Sequence, residues 1–474
     1  MKKGLIVILL CFIPLCLQAQ NANDDFQTYR KKMLEGYQGF RKNILDDYAQ
    51  FLNGIWEEYE VFTGRKSNPK PKPDVQPRKD ENEPTPEPQI IEPEEVNPAE
   101  PAEQEDPPMP KPIVTSPNSM VSFDWCGIRL QLPDAKIDGD LRSVEKEDLV
   151  AYFEKLENSK LEKEVIPQLE LIVTSLNLND WCLYLVIQSY VKKIKANANT
   201  NTRNIICWYM MALWGFDVRL SFNGRNLFYL IPFQQMVYAR NYITINDIAY
   251  YIFGEGKTDN NEGFYTPKIP DPTGGKVNLV LLKALKLPYK AKQFSHTFAG
   301  RTLNCEVNEN LIRVLAQFPQ IPIAAYAVSA GDNKARRQVL EQMKQFTSGM
   351  DEYDAANFIL QFIQSFDYAT DQEQFGYEKP FFVEEILFYP RNDCEDRSIF
   401  YYFIMTELFG KDVHLVTYPG HECTGVNFTR ELNMDCYYYK GKQYVICDPT
   451  YIGATIGMCM PDFKNVKPEI ELAR

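Results

Sequence analysis

Fifteen of the chain's 31 prolines fall between Ser67 and Pro117, in a stretch with 12 acidic residues, 5 basic residues and almost no aromatic side chains. Such a segment lacks the apolar surface that would offset its ordering entropy, and each proline fixes φ and removes a backbone donor. It cannot supply a core. Residues 64–118 therefore read as an extended, semi-stiff spacer of polyproline character, a tether before a ligand for any proline-reading partner. The spacer divides the 474 residues into a short N-terminal part and a long C-terminal part that must hold the core. It also carries −7 of the net charge of −13. No basic surplus or stripe remains for a nucleic acid, and that class of partner is excluded.

The N-terminus reads Met1-Lys2-Lys3, then an apolar run from Leu5 to Leu17, then Gln18-Ala19-Gln20. This is the pattern of a secretory signal peptide, residues 1–19, with cleavage expected after Ala19. The run is too short to span a bilayer and Pro14 interrupts it, so no transmembrane helix is expected in the mature chain. Leu10 and Leu15, not small residues, precede Cys11 and Cys16, which argues against a lipidated cysteine. An exported protein follows, periplasmic or extracellular at the cell surface. Nine cysteines remain after residue 20, an odd number that defines no disulfide framework.

Residues 20–63 contain blocks of eleven that place aromatics at Phe26, Tyr29, Tyr37, Phe40, Tyr48, Phe51, Tyr59 and Phe62. Eleven residues make three helical turns, so these side chains predict one stripe along an amphipathic helix. The stripe calls for cover: the protein's own globular body, self-association through residues 24–62, or an envelope partner.

Globular composition begins near Met120. Residues 119–260 predict helices across 145–195, an apolar helix from Arg203 to Trp214 stopped by Gly215, and strands at Asp217 to Phe222 and Asn226 to Pro232. Residues 261–332 predict a β-rich connector with a hairpin, Phe294 to Phe298 and Thr302 to Val307, around Ala299-Gly300-Arg301. Helices resume at Glu309 to Gln317, Lys334 to Phe346 and Asp354 to Phe366. Residues 333–474 carry the chemistry.

That chemistry starts at Asp393-Cys394-Glu395-Asp396-Arg397-Ser398, followed by the apolar run IFYYFIMTELF and Gly410. Asp393 suits an N-cap, Asp396 completes a capping-box-like arrangement, and Gly410 supplies a stop. Cys394 then sits in the first turn of a helix, where the dipole favours a thiolate, although Glu395 and Asp396 oppose it. A strand from Val413 to Tyr418 leads to Pro419-Gly420-His421, and a second runs from Cys423 to Phe428. A hairpin of Cys436 to Tyr439 and Lys442 to Cys447 ends at Asp448-Pro449-Thr450. Of three histidines, His296, His414 and His421, only His421 stands at an exposed-looking turn. A Cys on a helix N-terminus, a His entering a strand and an Asp leaving one suit a thiol nucleophile, its base and the acid that orients the base. A metal site of Cys394, Cys423 and His421 is the weaker reading, because no close C-x-x-C pair exists. No metal or cofactor is expected.

These three ordered pieces, over Ala355 to Gly457, resemble the transglutaminase-like superfamily of papain-type thiol enzymes. The resemblance implies catalytic Cys394, His421 and Asp448, and an α+β core in which the Cys helix packs on an antiparallel sheet. It implies acyl transfer or hydrolysis at a peptide, protein or cell-wall amide, as in a cysteine peptidase, an amidase or a protein-glutamine acyltransferase. After the histidine, Glu422-Cys423-Thr424 stands where an aromatic is often found in the family. Trp181 to Gly254 echoes the same segment at an offset of 195 residues: Ile187-Gln188-Ser189-Tyr190 answers Ile363-Gln364-Ser365-Phe366, and Asn199 and Asn226 stand opposite Cys394 and His421. Phe253-Gly254 lies near the Asp448 position. Residues 119–260 are therefore expected to be a degenerate copy that has lost the triad. The rival reading is a non-catalytic envelope binding or assembly protein that keeps the fold.

Overall fold

The computed structural model describes residues 119–259, 262–267 and 274–472, together with short strands β1 (Tyr59–Phe62), β2 (Ile90–Ile91) and β3 (Glu94–Val96). The expected signal peptide and the greater part of the striped helix lie outside these residues. The last aromatic pair of the stripe, Tyr59 and Phe62, belongs to β1 and not to a helix. The reason is tertiary: β1 is an antiparallel edge strand on β10 (Phe264–Pro267), in register from Tyr59 opposite Pro267 to Phe62 opposite Phe264.

The first unit opens with a hairpin, β4 (Met120–Trp125) and β5 (Ile128–Pro133). Four helices follow: α1 (Lys146–Glu157), α2 (Ile166–Leu176), α3 (Asp180–Ile194) and α4 (Thr200–Trp214). Local chemistry fixes the ends of α4: the Asn199 side chain accepts from the Thr202 N–H, and Gly215 closes the helix in the left-handed conformation. Then come β6 (Arg219–Asn223), β7 (Asn226–Pro232), β8 (Tyr242–Ile245) and β9 (Ile248–Phe253). The sheet order is β1-β10-β6-β7-β9-β8.

The connector holds the expected hairpin, β11 (Ala291–Phe298) with β12 (Arg301–Asn308), turning at Ala299 and Gly300, both at positive φ. It also contains helices α5 (Glu309–Leu315) and α6 (Ile323–Val328), so it is less β-rich than its composition suggests. The last unit contains α7 (Asn333–Phe346), α8 (Glu352–Gln364), the short α9 (Asp371–Gln374) and α10 (Val383–Ile386), and the buried α11 (Cys394–Phe409). Its strands are β13 (Asp412–Tyr418), β14 (His421–Asn427), β15 (Cys436–Tyr439), β16 (Lys442–Cys447) and β17 (Glu469–Leu472). The molecule is α+β with antiparallel sheets, and one apolar core runs without a break from Phe123 to Ile456. No helix among the described residues is long and apolar enough to cross a membrane.

The second sheet has the order β2-β15-β16-β14-β13-β17-β3. Its two edges are only a few residues apart in sequence, since β2 ends at Ile91 and β3 begins at Glu94. Three residues of extended chain reach at most about 10 Å, whereas the edges of a flat sheet of seven strands would stand about 29 Å apart. The sheet must therefore curl until its edges meet. Both contacts are parallel, Ile90 opposite Cys436 and Glu94 opposite Glu469, as one continuous segment would make. The proline-rich stretch is thus not only a tether: β2 and β3 pair along the two edges of a curled sheet. Replacing residues 90–96 with a Gly-Ser sequence is expected to raise amide hydrogen exchange at Cys436–Tyr439 and Glu469–Leu472, the strands left with an open edge. Unchanged protection at both would contradict these pairings.

Candidate active site

Cys394 is the first residue of α11. Its N-cap, Asp393, has extended backbone (φ −112°, ψ −159°), and Asp396 reaches back to accept from the Asp393 N–H at 3.2 Å and from the Phe381 N–H at 2.8 Å. One turn along the same face, the Ser398 hydroxyl donates to the Glu422 carbonyl at 3.2 Å. The Cys394 thiol itself donates to Glu395 Oε2 at 3.8 Å, and the Glu422 backbone favours its thiolate. The helix thus holds the backbone of the residue after His421, which sets the first turn of the helix beside the start of β14. As the first helical residue, Cys394 also presents a backbone N–H that no carbonyl of the helix takes up.

His421 Nε2 meets Asp448 Oδ2 at 2.7 Å. The second carboxylate oxygen of Asp448 accepts from the backbone N–H groups of Thr450 and Tyr451 at 2.9 and 3.0 Å. Gln364 of α8 donates to the Asp448 carbonyl at 3.2 Å and to the Ala454 carbonyl at 3.1 Å, fixing the loop beyond β16. With Nε2 committed to a carboxylate, Nδ1 is the ring nitrogen left for a proton from sulfur. The other two histidines are held by hydroxyls: His296 Nε2 by Ser365 at 2.7 Å, and His414 Nδ1 by Tyr437 at 2.9 Å, with its ring stacked on Tyr444.

The three sequence-predicted residues are all brought to this end of the sheet, yet two expectations about them need correction. His421 is not at an exposed turn; it is 7% exposed, because Phe463 covers it with rings 13° from parallel at 5.5 Å. Phe463 also stacks on Tyr418 at 4.7 Å. This ring comes from more than 40 residues downstream, and only the isolated apolar position in Pro461-Asp462-Phe463 marked it in the sequence. The second correction concerns the thiol. Cys394 is 1% exposed, and burial, reinforced by the carboxylates of Glu395, Asp393 and Glu422, pushes its pKa well above the ordinary thiol value. The Glu422 backbone works the other way and does not prevail. The helix terminus cannot hold a thiolate against desolvation. The resting group is the protonated thiol.

Behind it lies an acidic group. Ligand atoms of Asp393, Cys394 and Glu395 lie within 4.8 Å of one another, as do those of Asp371, Asp393 and Asp396, and those of Asp371, Glu378 and Glu395. These oxygens are the donors in this region that suit a hard cation. The set considered from sequence, Cys394 with Cys423 and His421, is not among these groups. Burial, together with Asp371 and Glu395, raises the Asp396 pKa well above the carboxylate range. Two buried cations temper the acidity: Lys379, paired with Glu385, and Arg397, which donates to Asn392 Oδ1 and the Phe366 carbonyl, each at 2.7 Å.

Cys126, Cys182, Cys207, Cys305, Cys394, Cys423, Cys436, Cys447 and Cys459 are all free thiols. Burial pushes Cys207, Cys305, Cys447 and Cys459 up to about 12. A thiol whose folded pKa exceeds its unfolded value stabilises the fold fully below the unfolded pKa and loses that contribution as pH rises through the folded one. The urea midpoint is therefore expected to fall between about pH 8 and about pH 10.5. A flat profile across that window would contradict the burial of these thiols.

Comparison with known proteins finds no matching family, no matching curated protein and no matching solved structure.

Proposed function

We propose that the protein is an exported transglutaminase-like cysteine enzyme that performs acyl transfer or hydrolysis at an amide bond. The observation that carries this reading is the 2.7 Å bond from His421 to Asp448, with the Cys394 helix bound through Ser398 to the carbonyl of the next residue, Glu422. In the mechanism, His421 Nδ1 takes the thiol proton as sulfur attacks the amide carbonyl carbon. The Cys394 backbone N–H stabilises the developing oxyanion. His421 then gives the proton to the leaving amine as the C–N bond breaks, leaving a thioester on Cys394. Water or a second amine attacks the thioester and restores the thiol. Asp448 keeps the imidazole in the tautomer that accepts at Nδ1. The acyl donor is a peptide, protein or cell-wall amide, and the charged-then-apolar leader at Met1–Ala19 supports export to the periplasm or cell surface.

An internal duplication accompanies this reading. The order β10-β6-β7-β9-β8 in one sheet answers β17-β13-β14-β16-β15 in the other. Arg219 faces Leu230 as His414 faces Gly425, each position offset by 195 residues. Tyr242 faces Tyr251 as Cys436 faces Val445, offset by 194. Gly215 and Gly410 end the matching helices. In the first unit two of the three triad positions are filled by backbone-bonding amides: Asn199 caps α4, and Asn226 donates to the Lys257 carbonyl. A Cβ on Gly254 would meet Asn204 Nδ2 at 2.9 Å, and Asn204 ties β7 to the Glu255 backbone. This unit serves as scaffold or binding surface.

The burial of Cys394 favours a second reading, an envelope assembly protein that keeps the triad as architecture. Turnover separates the two. A screen of peptidoglycan fragments, glutamine donors and peptides should give a substrate whose turnover disappears in Cys394→Ser; turnover unaffected by that change removes the enzyme reading.

A further inference from the structure

A small cleft of about 220 Å³, room for one side chain or a chain end and not for a whole peptide, opens between the two units. One wall is the Tyr238–Arg240 loop of the first unit, and the other is the Tyr377–Pro380 loop of the last. Gln320 joins them: its carbonyl accepts from the Tyr238 N–H at 2.8 Å, and its side-chain amide donates to the Glu378 carbonyl. The far wall adjoins the nucleophile. Glu378 and Glu395 carry ligand atoms within 4.8 Å of each other, and Glu395 Oε2 lies 3.8 Å from Cys394 Sγ.

Arg240, like Arg397, lacks the carboxylate partner that other inward-facing cations have, and of the two it is Arg240 that lines the cleft. Arg203 has Glu255, Arg219 has Asp217, Arg336 has Glu384, Lys379 has Glu385 and Lys464 has Asp435. Among the described residues no carboxylate pairs with Arg240. Its guanidinium lies over the Phe253 ring at 4.1 Å, and one Nη1 donates to the Ile252 carbonyl at 3.2 Å. Burial works against its charge, and the hydroxyls of Tyr184 and Tyr229 favour it. An aromatic face holds the fork flat and leaves donors directed elsewhere. A flat, partly desolvated guanidinium without an anion matches a carboxylate, which it can accept through two parallel hydrogen bonds.

We propose that this cleft is a substrate subsite in which Arg240 binds a carboxylate of the acyl donor or acceptor peptide. The inference rests on the acyl-transfer reading above and adds a substrate class to it: anionic peptides. Glu378, on the other side of Gln320, repels a second negative charge and so orients the peptide with its carboxylate toward the first unit and its neutral or cationic end toward Cys394. The unit without a triad would thus contribute specificity to the unit that has one.

The test uses full-length Cys394→Ala protein, which cannot turn over, and a panel of acetylated tripeptides, each prepared with a free C-terminal carboxylate and as the C-terminal amide. By calorimetry the best acid is expected to bind about 10- to 100-fold more tightly than its amide, the range for one charge-assisted contact. Arg240→Gln should erase the difference, and Arg240→Lys should keep part of it. Should Arg240→Gln misfold, the acid-to-amide ratio in the parent protein still decides. A ratio near one for every peptide, no binding at all, or a ratio unchanged by Arg240→Gln would overturn the subsite. If acid and amide bind alike while the parent enzyme turns over amides through Cys394, the subsite fails and the acyl-transfer reading stands. If the acid binds through Arg240 and Cys394 acts on nothing, the reverse holds.

Discussion

Replacing Asp448 with Asn is expected to lower kcat/KM by about 10³- to 10⁴-fold, as a wrong imidazole tautomer does in other triads. The substitution keeps one oxygen that can still accept from Thr450 and Tyr451, so the loop beyond β16 survives. What changes is the group facing His421. A carboxylate oxygen accepts from Nε2–H and leaves Nδ1 free to take a proton; an amide N–H in that place donates to Nε2, moves the ring proton to Nδ1 and blocks the base. KM and the melting temperature should change little, since the loss lies in proton transfer and not in binding or folding. Steady-state kinetics and a thermal melt on the same preparation check both halves. A loss of activity matched by a loss of folded protein would mean that Asp448 only holds the loop.

The second large effect concerns stability. Lys379 lies buried against the Phe381, Tyr389 and Phe375 rings, at 4.9, 5.0 and 5.7 Å, with its ammonium on Glu385. Burial opposes both charges; Glu385 raises the Lys379 pKa despite it, while burial raises that of Glu385. Lys379→Met leaves Glu385 buried near other acids without its partner, and is expected to cost about 3–5 kcal/mol. Removing both charges in Lys379→Met/Glu385→Leu should recover most of that loss, because two desolvation penalties vanish with the pair. Urea unfolding measures both. A double variant as unstable as the single one would show that the penalty is lost packing in the aromatic cage and not an orphaned carboxylate.

Local chemistry made much of this legible in advance. Asn226–Pro232, Cys436–Tyr439 and Lys442–Cys447 were readable as strands from their bounding turns, and Gly215 and Gly410 as helix stops from their position after an apolar run. His421 and Asp448 were each readable at a strand end, but their pairing was implied by the family resemblance, because the strand count between them leaves open whether they share an end of the sheet. The rest depends on which distant segments meet, and no period in the sequence encodes that. Tyr59–Phe62 has the spacing of a helical stripe, yet an open strand at Phe264–Pro267 offers it hydrogen bonds. Residues 90–96 look like spacer because proline dominates around them, while the gap between Cys436–Tyr439 and Glu469–Leu472 accepts any short extended piece. Phe463 and the acids Asp371 and Glu378 reach the site only through tertiary packing. The thiol was misjudged for the same reason: a helix terminus is visible in the sequence, and the burial that overrides it is not.

The central claim is that Cys394, activated by His421, forms a thioester. Its most direct test is to incubate the protein with an electrophilic peptide mimic that reports thiol attack, digest it, and map the adduct by mass spectrometry, alongside His421→Ala. The account predicts an adduct on Cys394 that His421→Ala greatly slows. An adduct confined to Cys126, the one thiol of the nine that is not buried, or labelling of Cys394 at the same rate without His421, would contradict it.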